Sequence, residues 1–246
     1  MAVSEPGTNA LGGPDGTGGP HVFVDDLDVL DLDDRDRHHL ASVLRLRPGD
    51  PLTASDGRGR WRRCRFGPTI EPAGEVRVEQ RRLPELAIGF VPVKGDRPEW
   101  VVQKATEVGV DRLVVLRSER SVVRWDGDRA VQQVARLERV AREAAMQCRR
   151  CHLPVVEGVV PVASLAGTAG VVRAQSGGGA PSLEHRLVLV GPEGGWSPAE
   201  AEAFPRTVGL GDHVLRSETA VVVAATRYAT LRAESGRMTT GVTEGD

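Results

Sequence analysis

The stretch Leu187-Val188-Leu189-Val190-Gly191-Pro192-Glu193-Gly194-Gly195 decides the fold. Four consecutive apolar residues, ended by glycine and proline, predict a short strand buried on both faces. Such a strand belongs in a mostly parallel sheet with helices covering each side. A second glycine break, Leu210-Gly211-Asp212-His213, precedes Val214-Leu215-Arg216-Ser217-Glu218-Thr219-Ala220, where a final apolar helix opens. In open α/β sheets, ligands sit outside the C-terminal strand ends, where both breaks fall. Glycine has no Cβ, so its backbone N–H and C=O groups can come close to a flat ligand. One Gly-rich turn is ordinarily just a turn. Two of them within residues 191–220, each leading into a helix, point to a site.

Upstream of this stretch, strand and helix alternate from Leu86 onward. Leu86 to Val93 reads as a buried strand, Pro98 to Val108 as a helix, and Arg112 to Leu116 as a strand. Arg129 to Cys148 is a long amphipathic helix, with Val131, Val134, Leu137, Ala141 and Ala144 on one stripe. Pro154-Val155-Val156 and Gly170-Val171-Val172 are further short extended pieces, and Ser176 to Gly179 reads as a flexible loop. Residues 86–236 are therefore expected to form one α/β domain. Before it the rhythm differs. His21 to Val24 is a strand, and Asp33 or Asp34 caps a helix through Leu40, Val43 and Leu44. Strand-like pieces at 52–54, 61–66 and 76–79 follow, with turns at Asp56-Gly57-Arg58-Gly59 and Gly67-Pro68, so residues 21–85 predict a small β-barrel. The Gly/Pro-rich residues 1–20 read as a disordered tail and 237–246 as a flexible C-terminal one.

Composition bounds the function classes. With 40% apolar and 27% charged residues among 246, the profile is that of a soluble protein of two domains. No apolar run reaches the roughly 20 residues of a membrane span. The N-terminus has neither a basic nor an apolar region of a signal peptide, which predicts a cytoplasmic protein. The net charge of −2 hides an asymmetry. Residues 1–34 are acidic and lack lysine and arginine, whereas Arg35 to Arg65 is arginine-rich. A basic N-terminal domain behind an acidic tail favours RNA as a partner, since arginine binds phosphate bidentately and stacks on bases.

Cys148-Arg-Arg-Cys151-His152 raises a redox or metal site, with flanking arginines that would lower a thiolate pKa. Zinc needs four ligands and no second cluster exists, so no metal is expected and burial at a helix end is the favoured reading. Gly191-x-x-Gly194-Gly195 is not a dinucleotide fingerprint. Neither Lys94 nor Lys104 follows a P-loop, so nucleotide triphosphatase and standard Rossmann chemistry drop out.

Four segments together resemble the SPOUT superfamily, and within it the RsmE family of bacterial small-subunit rRNA uracil-N3 methyltransferases. They are His39-Leu-Ala-Ser-Val43-Leu44-Arg45-Leu46-Arg-Pro-Gly49-Asp50, Lys94-Gly95-Asp96-Arg97 with Gln103-Lys104-Ala105-Thr106-Glu107-Val108-Gly109-Val110, Gln147 and Arg150 with Pro154, and the two glycine breaks. The resemblance spans about His21 to Arg232. It implies a PUA-like barrel that grips 16S rRNA or the small ribosomal subunit, and an α/β domain with a deep trefoil knot. It also implies S-adenosylmethionine in the knot and a homodimer that completes each active site. Gly191, Pro192, Gly194, Gly195, Leu210, Gly211, Val214 and Leu215 would build the cofactor pocket, with Val172 as a third wall. Near the end of the last helix no arginine aligns clearly with the family's, and Arg227 and Arg232 are both candidates.

Methylating uracil N3 requires removing the N3 proton and holding N3 in line with the methyl–sulfur bond. Arg216 is the expected cation for the uracil oxygens, Glu218 the first candidate base and Glu193 the second. Glu218 could instead favour the helix dipole, and Glu193 could hold its loop. Arg45, Arg60, Arg62 and Arg63 in the barrel, with Arg97 and Arg150, are the expected RNA contacts. Two other readings remain: a related SPOUT enzyme acting on tRNA or a ribose, and a non-catalytic RNA-binding assembly factor.

Overall fold

The computed structural model describes residues 7–9 and 11–240, with side chains through Gly236. Contacts divide the chain into residues 1–81 with 142–153, and residues 82–141 with 154–246. The sequence division at 85/86 lies close to this break. The C-terminal end of the long helix, read as part of the α/β domain, groups with the first unit.

In the first unit, β1 (His21–Phe23) pairs in parallel with β2 (Pro51–Ser55), and β2 pairs antiparallel with β3 (Arg60–Arg65). On its other edge β3 takes β4 (Glu71–Pro72) and β5 (Arg77–Val78). Helix α1 (Asp34–His38) is capped by Asp33, whose side chain accepts from the Asp36 N–H. The helix then loosens into a π-turn over His39–Val43. One sheet face packs Val22, Leu52, Ala54 and Cys64 against Leu27, Leu40 and Phe66.

Residues 11–20 differ from the expected disordered tail. Trp61 Nε1 donates to the Gly12 carbonyl at 2.8 Å, Gln80 N–H donates to Leu11, and Thr53 N–H donates to Pro20. Trp61 is fully buried. The glycines of this segment, read as a disorder signal, let a chain without bulky side chains lie flat over the sheet. The reading of residues 1–6 and 10 lies outside the described residues.

The second unit is a six-stranded, wholly parallel sheet. In chain order its elements are β6 (Ala87–Phe90), α2 (Arg97–Val108), β7 (Arg112–Arg117), α3 (Gly127–Cys148), β8 (Val155–Pro161), β9 (Val171–Gly179), β10 (Leu187–Val190), α4 (Pro198–Ala203), β11 (Thr207–Val208) and α5 (Ser217–Thr240). The strand order is β11-β9-β10-β6-β7-β8. Period-2 alternation explains the apolar run that opened the sequence reading. Val188 and Val190 join Ile88, Phe90 and residues of α2 and α5 on one face. Leu187 and Leu189 join Ala87, Leu116 and Phe204 on the other. A strand buried on both sides has no polar face to alternate with.

Two expectations change here. Ser176 to Gly179 is not a loop; it continues β9 and pairs with β11, where Gly209 N–H donates to the Gly179 carbonyl at 2.8 Å. A Cβ on Gly178 would stand 2.5 Å from the Val208 carbonyl carbon, so the glycines permit this backbone approach. The backbone of 237–240, read as flexible, extends α5. Residues 241–246 lie outside the described residues. Among the described residues no helix is long and apolar enough to cross a membrane.

Candidate cofactor and substrate site

The two glycine breaks meet. Ser217, the first residue of α5, donates from Oγ to the Gly191 carbonyl at 3.0 Å, joining the loop after β10 to the start of the last helix. Gly191 is required at this junction: a Cβ there would lie 2.8 Å from the Trp196 ring. The Gly191–Trp196 loop is held from below by a capping box on α4, with Ser197 Oγ accepting from Glu200 N–H and Glu200 Oε2 accepting from Ser197 N–H. The same buried Glu200 carboxylate accepts from Ser118 Oγ and Glu119 N–H, each at 3.0 Å. Arg120 Nη1 donates to the Gly194 carbonyl. The Glu200 carboxylate thus locks the loops after β7 and β10 together, and Ser217 ties the start of α5 to the latter.

The loop after β10, the end of β9 and the segment leading into α5 enclose a cavity of about 590 Å³. Of the expected cofactor residues, Gly191, Pro192, Gly195, Leu210, Gly211, Val214 and Leu215 line it. Gly194 does not; its carbonyl faces Arg120. Val172 does not either. It is fully buried in the core, and β9 contributes its later residues Arg173 to Ser176 instead. The sequence reading ended β9 at Val172 and so placed the wall too early. Trp196, His213, Ser217 and Ala220 also line the cavity and were not anticipated. Trp196 follows the glycine pair directly, and that adjacency was the available signal.

Arg216 and Glu193 both line the cavity. Arg216 is exposed, and its guanidinium has no hydrogen bond or ion pair among the described residues. Glu193 lies 3.2 Å from Arg97 Nη1, and Arg97 Nε lies 3.7 Å from Glu218. Arg97, read as an RNA contact, is therefore the clasp between the two carboxylates read as bases. Glu218 is off the cavity wall, its side chain 14% exposed, and its Oε2 is buried without a hydrogen-bond partner.

The remaining arginines separate into two groups. Arg45 and Arg60 are exposed. Arg62 is turned inward: it donates to the carbonyls of Gly74 and Leu27 and lies 3.7 Å from Asp28. Arg63 is half-buried, its guanidinium against Gly7. Arg150 is half-buried at the end of α3. Bonds to backbone carbonyls take Arg62, and the covering N-terminal segment takes Arg63, out of the expected exposed basic face. Arg232 is buried and bonds to Asp111 and to the Gly109 carbonyl, whereas Arg227 is exposed and donates to the Gly209 carbonyl at 3.1 Å.

Cys151 is fully buried, and burial, then the Glu79 charge, push its thiol well above the ordinary range. Cys64 is pushed up to about 11 by burial. Thiols held protonated in this way are poor nucleophiles and poor metal ligands. No group of metal-binding side chains occurs among the described residues.

Comparison with known proteins gives the family. A model of the RNA methyltransferase domain matches residues 80–229, and one of the RNA methyltransferase PUA domain matches 32–67. A ribosomal RNA small subunit methyltransferase E from Mycobacterium bovis is 34% identical over 80% of this chain and 84% of its own. The Bacillus subtilis protein of that name is 28% identical over 82% and 90%. A crystal structure of the Neisseria gonorrhoeae protein bound to S-adenosyl methionine shares 28% identity, covers 86% of this chain and 97% of its own, and superposes with a TM-score of 0.69. A probable rRNA-methyltransferase from Porphyromonas gingivalis shares 30% identity over 88% and 100%, with a TM-score of 0.72.

Proposed function

Since the chain belongs to the ribosomal RNA small subunit methyltransferase E family, we propose that it methylates N3 of a uridine in 16S rRNA with S-adenosylmethionine as donor. The observation that carries this reading is the cavity shared by both glycine loops, with the unpartnered Arg216 guanidinium on its wall. Gly191, Pro192, Gly195, Leu210, Gly211, Val214 and Leu215 would hold the cofactor, and the absent Cβ of Gly191 lets the Trp196 ring pack in as a wall of that cradle. The bound cofactor supplies an electrophilic methyl group. Arg216 stabilises the negative charge spreading onto O2 or O4 as N3 loses its proton. Glu193, the carboxylate on the cavity wall, takes the role of base first assigned to Glu218. Arg97 holds Glu193 in place, and Glu218 anchors Arg97. The chain acts as a cytoplasmic homodimer with a trefoil-knotted cofactor domain, its PUA-like unit gripping the small subunit during ribosome biogenesis.

Two measurements test this. Isothermal titration should show S-adenosylmethionine binding; an assembly factor without turnover need not bind it. Mass spectrometry of rRNA nucleosides from a strain lacking the protein should show loss of 3-methyluridine. Intact 3-methyluridine with a lost ribose or tRNA methyl group would move the target to a related SPOUT activity.

The RNA contacts yield a further expected result. RNA affinity should fall steeply with salt, and Arg60→Ala should reduce the slope of log affinity against log salt by about 0.7–0.9. Arg62→Ala should lower the unfolding midpoint instead, because its guanidinium satisfies backbone carbonyls. A salt-insensitive affinity would remove the arginine face from RNA binding.

A further inference from the structure

Strand β9 carries a charge where its neighbours are apolar. Side chains alternate along a strand, so Val171 and Arg173 project to the same face. Val171 packs there with Leu187, Leu189 and Phe204. Arg173 is the next residue on that face and, unlike Val171, it lines the cavity between the two glycine loops. It is only 9% exposed.

A guanidinium buried this far ordinarily has a carboxylate beside it, because a buried charge without a partner is costly. Arg232, 6% exposed, follows the rule by bonding to Asp111. Arg173 does not. Its Nε donates to the Phe204 carbonyl at 2.8 Å, and it forms no ion pair among the described residues. Nη1 and Nη2 have no partner there either, and neither is shut off from surface. Glu193, the carboxylate on the cavity wall, is held by Arg97 instead. Burial lowers the Arg173 pKa below the ordinary arginine value, the direction expected of a desolvated cation without a counter-charge. Arginine stays ionised even so, and the wall therefore keeps an unbalanced positive charge. The Nε bond to the end of α4 fixes the guanidinium plane and leaves the terminal nitrogens as a preset fork.

That charge selects among the groups the cofactor offers. The sulfonium and the ammonium of S-adenosylmethionine are cations, which Arg173 repels. Its ribose hydroxyls and adenine nitrogens can accept a hydrogen bond but leave the charge unbalanced. Its carboxylate supplies a negative charge and a pair of oxygens that match the fork.

We propose that Arg173 binds the carboxylate at the amino-acid end of the cofactor through Nη1 and Nη2, with Nε held by the Phe204 carbonyl. The inference rests on S-adenosylmethionine being the methyl donor. It makes Arg173 the residue by which this cavity distinguishes the intact cofactor from adenosine derivatives that lack the acid group.

Isothermal titration of the full chain with S-adenosylmethionine and with decarboxylated S-adenosylmethionine, which keeps every other group, tests this. The unsubstituted protein should bind the decarboxylated form about 10–100-fold more weakly, the range for a hydrogen bond to a charged group. Arg173→Met should weaken S-adenosylmethionine binding by a similar factor and should not weaken binding of the decarboxylated form. Arg173→Lys, which keeps a charge and loses the fork, should fall between the two. Equal affinity of the unsubstituted protein for both ligands overturns the proposal, and that result needs no variant to fold. An equal loss for both ligands in the variants also overturns it, since Arg173 would then act only by shaping the wall through Phe204. Unchanged cofactor binding with weakened RNA binding would assign the charge to an RNA phosphate and overturns it as well. Failure of the unsubstituted protein to bind S-adenosylmethionine at all would instead defeat the methyltransferase reading, so the two failures are separable.

Discussion

Arg216→Ala should lower single-turnover methylation of small-subunit rRNA by about 10²–10³-fold while the Kd for S-adenosylmethionine stays unchanged. The magnitude is that of removing one hydrogen-bond donor from a developing anion. The split between turnover and cofactor affinity follows from geometry. The cofactor cradle consists mainly of loop backbone and apolar side chains, and the Arg216 guanidinium contributes no hydrogen bond to it. Arg97, in contrast, already pairs with Glu193 and Glu218, so Arg97→Ala should weaken both binding and turnover through loss of loop order. Arg216→Lys should retain part of the rate, because a point charge can still meet one uracil oxygen. Sedimentation of Arg216→Ala completes the test. A dimer that dissociates would assign Arg216 to a subunit interface, and unchanged turnover would remove it from the mechanism.

The parts of this site that sequence discloses are those whose residue types have one physical use. Gly191 is legible because its missing Cβ is the function: Trp196 occupies the space a side chain would need. Leu187 to Val190 is legible because an unbroken apolar run is what burial on both faces requires. Arginine is different, since its charge says nothing about direction. Arg60 and Arg62 are two residues apart on one strand, yet one faces solvent and the other is spent on the Gly74 and Leu27 carbonyls. Glycine misleads in the opposite sense at Ser176 to Gly179. Its low strand propensity predicts a loop, and the close approach of β11 makes it a strand. Pairings between distant residues leave no local trace. Arg97 meets Glu193, and Arg173 meets the Phe204 carbonyl, through topology alone.

The same distinction separates Arg227 from Arg232, two candidates for the family's C-terminal arginine that sequence alone does not tell apart. Arg232→Ala should destabilise the second unit by about 3–5 kcal/mol, measured by urea unfolding, because it strips the partner from a buried carboxylate. Asp111 is 7% exposed and accepts from Arg232 and from the Leu86 N–H at 3.0 Å. Arg232 also donates to the carbonyls of Gly109 and Pro84, tying α5 to the segments that begin β6 and β7. After truncation, Asp111 keeps the Leu86 N–H donor but loses the guanidinium that balances its buried charge. The double change Asp111→Asn with Arg232→Met should recover much of the loss, since Asn still accepts from Leu86 and leaves no ion unpaired. Arg227→Ala should barely move the unfolding midpoint, because its one bond to the Gly209 carbonyl is exposed to water. Any effect of that change should fall on RNA methylation. If Arg232→Ala instead left stability intact and abolished methylation, the buried arginine would be the substrate contact and the assignment of the two would reverse.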